Sequence, residues 1–270
     1  MTRAPAAAKI NLSLVVGPVR PDGKHDVVTV YQRVALSDRI AVERAPELRV
    51  DGFADDTLVR RALACMTDGN GASFAARIQK RIPVAAGLGG GSSDAATALR
   101  LANGLRAEPY PTERLHEFAR ELGADVSYFL GDGPQLGSGD GSELEPVDLP
   151  QDYWILLVVP RHDEKTSTER VYADFDARSG ERGYDERRAS LLDALERVKR
   201  PRDLAALPLN DLAASPLSAE LLELGAFRAD VTGAGPTVYG LFLHGHHARA
   251  AQKRISRKGR SWLTTPAWYR

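Results

Sequence analysis

The chain has 270 residues, 43% of them apolar, which is enough to bury the core of one large domain or two small ones. Lys and Arg together number 36, as do Asp and Glu, and this zero formal net charge argues against nucleic acid or an anionic membrane as the main partner. A local basic cleft stays compatible with that balance.

The single cysteine and the apolar runs bear on where the protein works. Cys65 cannot form an internal disulfide, which fits a reducing cytoplasm, and we interpret it as a small buried residue rather than a catalytic thiol. The N-terminal residues do not resemble a signal peptide. No run approaches the ~18 apolar residues that a membrane span needs. The sequence therefore predicts a soluble, cytoplasmic protein.

The first half of the chain alternates between strand-like and helix-like patterns. Apolar residues at every second position predict strands, and apolar residues three or four apart predict a helix. A loop rich in Gly and Pro follows the first strand, and Asp55 or Asp56 is the expected cap of the helix. The predicted strands are residues 9–16, 27–36, 39–45, 48–53 and 72–84, and the helix is residues 55–67.

The stretch PVAAGLGGGSSDAATALRLAN, which begins at Pro83, combines a glycine-rich turn with an alanine-rich helix. A helix start carries unpaired N–H groups and about half a positive charge, and glycines let an anion approach them closely. The stretch lacks the Lys of a P-loop and the third glycine of a dinucleotide fingerprint. We interpret it as a phosphate-binding loop; the alternative is a flexible strand-to-helix turn with close packing.

The second half adds helices, a hairpin and a buried strand. We predict an amphipathic helix that ends at Gly123, a hairpin, an apolar strand, a charged stretch of solvated helices and loops, a strand–turn–strand and a basic helix. Mixed strands and helices indicate an α+β fold with a boundary near Pro150, giving domains of residues 1–150 and 151–270. In the same order, the elements are residues 112–123, 134–147, 153–160, 161–203, 228–243 and 246–260.

The tract HGHH, residues 244–247, is the one His-rich motif. Such tracts can bind metal. Because it follows an apolar strand without a nearby Cys or carboxylate, we predict an exposed turn instead.

Three ordered motifs resemble those of the GHMP kinases, a superfamily of small-molecule kinases. They are AKINLSL from Ala8, PVAAGLGGGSSDAA from Pro83 and TGAGPTVYGLF from Thr232. Together with PDGKHD, TVYQ, LGADVSYF and NDL, they are most similar to the branch that acts on a cytidylyl-linked methylerythritol. The resemblance spans roughly residues 4–243.

This resemblance implies a fold and a reaction. The fold has an N-terminal domain like ribosomal protein S5 domain 2 and a ferredoxin-like C-terminal domain. The reaction transfers a phosphoryl group from ATP, with Mg²⁺, to the tertiary hydroxyl of that substrate. Its catalytic pair is Asp125, which takes or orients the hydroxyl proton, and Lys9 beside it; the alternative is a helix cap and a surface lysine.

The resemblance also implies binding residues. Ser93 is the candidate magnesium ligand. We expect a monomer or weak homodimer. Its expected partner is a small-molecule substrate, and we expect it to bind neither nucleic acid nor membrane. For several substrate residues a structural role is the alternative: a hydrogen bond for Asn11, solvation for His25 and core packing for Tyr31 and Tyr172. The nucleotide residues are Thr57, Lys80, Pro83, Gly87, Gly89, Gly90, Gly91, Ser92, Ser93, Gly233 and Gly235, and the substrate residues are Asn11, Lys24, His25, Tyr31, Thr168 and Tyr172.

Two positions depart from the family pattern. Lys24 stands where relatives usually carry a tyrosine that stacks on cytosine, and Thr57 stands where relatives can carry Asn near adenine. Lys24 therefore motivates two alternatives to the cytidylyl substrate: another small alcohol, or an acceptor like phosphomevalonate. A non-catalytic nucleotide-binding regulator is the alternative from a different class, but it would have no need of both Lys9 and Asp125.

Overall fold

A computed structural model describes residues 1–53, 57–67, 73–161 and 167–267. The described chain divides into two compact units. The first comprises Met1–Ala8, Leu36–Val84 and Gly89–Asp132, and the second comprises Lys9–Ala35, Ala85–Leu88 and Gly133–Arg270. Strands β1 (Thr2–Val19) and β2 (His25–Ala45) pair with each other, and each contributes residues to both units.

The first unit combines a small sheet with four helices. Beyond residue 36, β2 pairs antiparallel with β4, from Arg39 opposite Gln79 to Ala45 opposite Ser73, and β3 pairs parallel with β4. Helices α1, α3 and α4 pack against α2. These elements are β3 (Arg49–Asp51), α1 (Thr57–Cys65), β4 (Ser73–Gln79), α2 (Gly90–Gly104), α3 (Thr112–Leu122) and α4 (Ala124–Leu130).

Helix α2 is buried along most of its length because its side chains are small. Ala95, Ala96, Ala98, Leu99 and Ala102 are fully buried. A helix that is apolar on nearly every side is typical of a domain core. The alanine-rich run therefore places the glycine turn before it at the end of a helix that its neighbours hold firmly.

The second unit contains a four-stranded antiparallel sheet in the order β10–β7–β9–β8. Helices α7 and α8 pack on this sheet around Leu156, Val158 and Phe242. The N-terminal part of β2 pairs with β5, which pairs with β6. The elements are β5 (Gln135–Ser138), β6 (Glu143–Pro146), β7 (Trp154–Pro160), α5 (Thr168–Ala177), α6 (Tyr184–Arg197), a 3₁₀ helix (Pro201–Ala206), α7 (Pro216–Glu223), β8 (Arg228–Val231), β9 (Val238–Phe242), α8 (Gly245–Ile255) and β10 (Gly259–Thr264).

A second core cluster of this unit joins residues that are far apart in the chain. Leu14, Val16 and Val27 pack with Phe175 and Leu212. Strands near the N-terminus therefore find their apolar partners on α5 and on the segment after the 3₁₀ helix.

Most of the predicted elements are confirmed, including α2, α3 with its end at Gly123, the β5–β6 hairpin and the β8–β9 pair. The α+β fold is also confirmed. Within the described residues, no helix combines the length and apolarity that a membrane crossing requires.

Several predictions of detail are wrong. Residues 27–36 and 39–45 form one strand, because Ser37 and Asp38 between them stay in the extended conformation of β2. The stretch 161–203 is not solvated throughout, since Phe175 and Leu191 are buried. Cys65 is half-buried rather than buried, and burial, aided by Glu121, raises its pKa. The sequence also missed α4 and β10, and the predicted caps Asp55 and Asp56 lie outside the described residues.

The three histidines of residues 244–247 are exposed, as predicted, but they lie at the start of α8 rather than in a turn. Their rings contact one another, with centroids 4.1–5.7 Å apart. Groups of three or more His, Cys, Asp or Glu able to hold a metal ion are not found in the described part of the chain.

Candidate active site

The part of the glycine turn that belongs to the first unit, from Gly89, leads directly into the buried helix α2. Gly89, the residue before the helix, is in the left-handed region at φ 66°, where glycine is favoured. The first helical hydrogen bond runs from the Ser93 N–H to the Gly89 carbonyl at 2.9 Å. The N–H groups of Gly90, Gly91 and Ser92 precede that bond, so the helix itself provides them with no acceptor. Such a helix start can bind an anion.

Lys80 lies at this helix start and forms two buried ion pairs. Its Nζ is 2.5 Å from Asp38 and 2.8 Å from Asp94, and both carboxylates are fully buried. Asp38 also accepts hydrogen bonds from the backbone N–H groups of Arg81 and Ile82. Burial alone would lower the pKa of Lys80, but attraction to Asp94 and hydrogen bonds with both carboxylates raise it. Lys80 is therefore a fixed positive charge.

A Cβ added at Gly90 would lie 3.4 Å from the Lys80 Nζ, so this charge sits beside the first turn of α2. Asp38 and Asp94 were not among the predicted site residues. Asp94 pairs with Lys80 from the second turn of α2. An Asp in the middle of the mainly apolar strand β2 was the available signal for Asp38.

Asp125 lies just past the end of α3, as predicted, and falls in the first turn of the short helix α4. Gly123, with φ 151°, separates α3 from α4 and turns the chain between them. The Asp125 side chain is half-buried. Helix α4 itself was not predicted, because at seven residues it carries too short an apolar pattern to be recognised.

Lys9 belongs to the second unit and is held by a chain of hydrogen bonds. Its Nζ donates to Asn11 Oδ1 at 2.7 Å, and the Asn11 amide donates to the Thr29 hydroxyl at 2.8 Å. Thr29 in turn donates to the Ser13 carbonyl at 2.7 Å. Lys9, Asn11 and Thr29 are all at least 96% buried. Asn11 therefore fixes the position of the ammonium group.

The glycine turn at Gly233 contacts the same cluster. The Thr232 hydroxyl accepts from the Asn11 backbone N–H at 3.0 Å and donates to Asn11 Oδ1 at 3.2 Å. A Cβ added at Gly233 would lie 3.6 Å from the Lys9 Nζ. The structure thus brings together Lys9, Asn11 and Gly233, three of the predicted residues, through Thr232, which was not predicted.

Asn210 supports the Gly233 turn and was also missed as a site residue. Its side-chain amide donates to the Val231 carbonyl at 2.9 Å and to the Gly233 carbonyl at 2.7 Å. Its backbone N–H donates to Asp230, whose pKa is raised by burial against the attraction of Arg228. Its place in the motif NDL was the available signal.

Gly87 packs against the same turn. A Cβ there would come within 2.6 Å of the Thr232 carbonyl oxygen and 2.9 Å of the Gly235 carbonyl oxygen. Thr237 donates to the Ala86 carbonyl at 2.6 Å. Gly87 therefore allows two backbone segments to approach each other. Gly235 also lines a pocket of about 360 Å³ between α5 and the segment 212–215.

His25 and Tyr172 form an aromatic pair in the second unit. Their ring centroids are 4.8 Å apart, and the His25 Nε2 lies 2.8 Å from Asp176. The buried Phe175 ring contacts His25 edge-on at 5.8 Å. Tyr31 lies elsewhere in the unit, with the Lys9 Nζ 5.6 Å from its ring centroid.

The remaining predicted residues are exposed or half-buried, and one of them, Lys24, forms an ion pair. The Lys24 Nζ is 2.5 Å from Asp140. Burial opposes ionisation of Asp140, but the hydrogen bonds from Lys24 and Ser142 lower its pKa. Thr57 and Thr168 are exposed at the first residues of α1 and α5, and Pro83 is half-buried.

Known proteins are similar to this chain over nearly its whole length. The models of the N-terminal and C-terminal domains of GHMP kinases match residues 57–133 and 215–261. A 4-diphosphocytidyl-2-C-methyl-D-erythritol kinase of Geobacter sulfurreducens is 36% identical, covering 96% of this chain and 95% of the relative. One of Anaeromyxobacter dehalogenans is 38% identical, covering 93% of this chain and 83% of the relative.

Solved structures are similar in fold. A crystal structure of 4-(cytidine 5'-diphospho)-2C-methyl-D-erythritol kinase has a TM-score of 0.80 and 29% identity, covering 99% of this chain and all of that one. The mevalonate kinase of Methanococcus jannaschii has a TM-score of 0.73 at 13% identity, covering 99% of this chain and 98% of that one, which shows a shared fold alone.

Proposed function

The chain belongs to the 4-diphosphocytidyl-2-C-methyl-D-erythritol kinases, within the GHMP kinases, and from this premise we propose its reaction. It transfers the terminal phosphoryl group of ATP to the 2-hydroxyl of 4-diphosphocytidyl-2-C-methyl-D-erythritol, in the non-mevalonate route to isoprenoid precursors. The protein is thus a small-molecule kinase.

The observation that carries the proposal is the bare start of α2. Gly90, Gly91 and Ser92 present backbone N–H groups, and Lys80 adds a half-buried positive charge beside them. Phosphoryl transfer depends mainly on positioning and on neutralising charge at the phosphates. We assign the triphosphate of ATP to this helix start, with Pro83, Gly87, Gly89 and Ser93 around it, Gly233 and Gly235 closing the phosphates and Thr57 near the adenine.

Asp125 and Lys9 are the proposed catalytic residues. Asp125, in the first turn of α4, accepts or orients the proton of the attacking hydroxyl. Lys9, whose ammonium Asn11 holds in place, stabilises negative charge as the phosphoryl group moves. A loose transition state asks little of the base early in the reaction, so a weakly basic carboxylate suffices.

We assign the cytosine ring to the neighbourhood of His25 and Tyr172. The Asp176 carboxylate orients the His25 ring, and Tyr172 offers an aromatic face on which a pyrimidine can stack. Tyr31, Asn11 and Thr168 are the remaining proposed contacts. Lys24 has its ammonium engaged by Asp140, so its methylene stem is the part that can cover a ring.

The donor set fits Mg²⁺ bound mainly through the nucleotide. Mg²⁺ usually keeps several waters and binds one or two protein oxygens together with substrate phosphates. Ser93, 2% exposed at the start of α2, is the proposed protein ligand. When bound, Mg²⁺ neutralises phosphate charge.

We further propose a cytoplasmic monomer or weak homodimer, since ATP and a single cysteine suit that compartment.

The catalytic assignment is tested by Asp125→Asn. We expect kcat to fall by at least about 100-fold, a size typical of lost acid–base catalysis, with little change in the affinity for ATP. Glu113→Gln is the matched control, because Glu113 is an exposed acid in the first turn of α3. If the rate of the Asp125 variant stays within a few-fold of the native rate, Asp125 has no catalytic role.

The acceptor is tested separately by measuring ATP consumption with a panel of alcohols. We expect turnover with the cytidylyl substrate and none with mevalonate or phosphomevalonate. Turnover with the mevalonate-type acceptors and none with the cytidylyl compound would refute the substrate assignment and leave the kinase assignment intact.

A further inference from the structure

The sheet of the first unit carries an arginine-lined pocket that the kinase reaction does not use. It has a volume of about 450 Å³ and is formed by the N-terminal residues, β2 and the end of β4. Register pairs Arg39 with Gln79 and Ala41 with Arg77, which places these four side chains on one face. Its lining residues are Met1, Arg3, Ala4, Pro5, Ser37, Arg39, Ile40, Ala41, Arg77, Gln79 and Arg81.

This pocket is separate from the anion site at the start of α2. Side chains alternate along an extended chain, so Gln79 and Arg81 point to one side and Lys80 to the other. Lys80 reaches Asp94 and the helix start, whereas Gln79 and Arg81 line the pocket. On β4, Phe74 and Ile78 lie on the side opposite to Arg77 and are buried.

The pocket concentrates positive charge in a chain that is neutral as a whole. Arg3, Arg39, Arg77 and Arg81 line it, and its lining includes no carboxylate. Across the described residues, none of these four arginines forms an ion pair, and all four are exposed. Four like charges around one cavity repel one another, and an anion between them would relieve that repulsion.

Two acids lie nearby on the same face without lining the pocket. Asp51 is opposite Arg77 in the β3–β4 register, but its carboxylate is 2.9 Å from the Arg49 Nε. Glu43 lies two residues beyond Ala41 on β2. The protein itself therefore neutralises little of the positive charge of these arginines.

We propose that this pocket binds a small molecule with two or more phosphoryl groups. Guanidinium groups bind phosphate through paired N–H donors, and several of them around one cavity favour a ligand with several anionic groups. A volume of about 450 Å³ is within the range of small-molecule sites. A nucleic acid would need a groove that tracks its backbone, which a single cavity does not provide.

The experiment is calorimetric titration of inorganic tripolyphosphate into the full chain, with the nucleotide site saturated by a non-hydrolysable ATP analogue. The test variant is Arg39→Gln/Arg77→Gln. Its matched control is Arg254→Gln/Arg257→Gln, which removes the same charge from exposed arginines at the end of α8 and just beyond it. We expect one binding site whose affinity falls at least about 10-fold in the test variant and stays unchanged in the control.

Further variants keep the result interpretable. Thermal melting followed by circular dichroism reports whether each variant folds, and the single variants replace the double one if it does not. Arg77→Lys retains the charge but loses the paired donors, so we expect an intermediate affinity. The titration is repeated without the ATP analogue, so that its result does not depend on the kinase proposal. Binding in the arginine-lined pocket is then the part of the signal that the pocket variants remove.

Three results would overturn the proposal. The first is no binding of tripolyphosphate by the native chain at millimolar concentration. The second is an equal loss of affinity in the test and control variants, which would indicate non-specific attraction. The third is binding of single-stranded nucleic acid or anionic vesicles that depends on Arg39 and Arg77 in the absence of any tripolyphosphate site.

Discussion

Gly87 illustrates how a single residue without a side chain permits the site to assemble. It has φ 76°, a conformation that favours glycine, and it packs against the carbonyl oxygens of Thr232 and Gly235. An added methyl group would meet backbone atoms, which cannot move aside as the end of a long side chain can.

Gly87→Ala is expected to destabilise the protein by about 2 kcal/mol or more and to reduce kcat/KM, because it adds overlap to backbone strain. Urea unfolding and steady-state kinetics measure the two effects. Gly133→Ala is the control: Gly133 has φ 69° but open space around its Cβ position, so it carries the strain alone and should cost only about 1 kcal/mol. Equal losses in the two variants would mean that the close approach at Gly87 is unimportant.

Helix α2 combines a start suited to anions with a buried charge network behind it. Lys80 joins Asp38 of β2 and Asp94 of the helix. Burying three charges is costly, and the arrangement is stable only while all of them are paired. The network therefore ties the helix to the strand that precedes the glycine turn.

Lys80→Met is expected to lower the free energy of unfolding by about 3–5 kcal/mol, since it leaves two buried carboxylates without their shared cation. Adding Asp94→Asn to this variant should restore part of the loss. Urea denaturation measures both. Asp193→Asn, which breaks an exposed pair with Arg197, should change stability by less than about 1 kcal/mol. If Lys80→Met behaves like that exposed control, the network contributes little to stability.

In the molecule as a whole, residues from distant parts of the chain pack in the same hydrophobic core. Leu14, Val16 and Val27 have partners on α5 and at Leu212, although they come from the first 27 residues. Tyr239 on β9 donates to the Leu12 carbonyl at 3.1 Å. The division near Pro150 stays a prediction, and these contacts join residues on the two sides of it.

A fragment of residues 1–150 is therefore expected to unfold without a cooperative transition and to bind a hydrophobic dye, because β1 and β2 would expose their apolar side chains. Circular dichroism against temperature and dye fluorescence measure this, with the full chain as the reference. A sharp melting transition in the isolated fragment would instead favour an independent N-terminal domain.

The sequence alone determined the local and periodic features of this protein. The glycines from Gly87 to Gly91, followed by an unbroken alanine-rich run, predicted a helix start suited to phosphate because φ preferences and the helix dipole act over a few residues. A nearly continuous apolar run predicted β7, and a glycine turn between two strand-like segments predicted the β8–β9 pair. The three motifs identified the family without any knowledge of which side chains contact one another.

Only the tertiary structure decided which side chains meet. Asn11 and Thr232 are 221 residues apart, and nothing in either local sequence says that one holds the other. The same is true of Lys80 with Asp38, and of Arg39 with Arg77, which share a face through strand register. Long-range register and burial depend on the packing of the whole chain, whereas a local pattern records only the period and the conformational preference of its own residues.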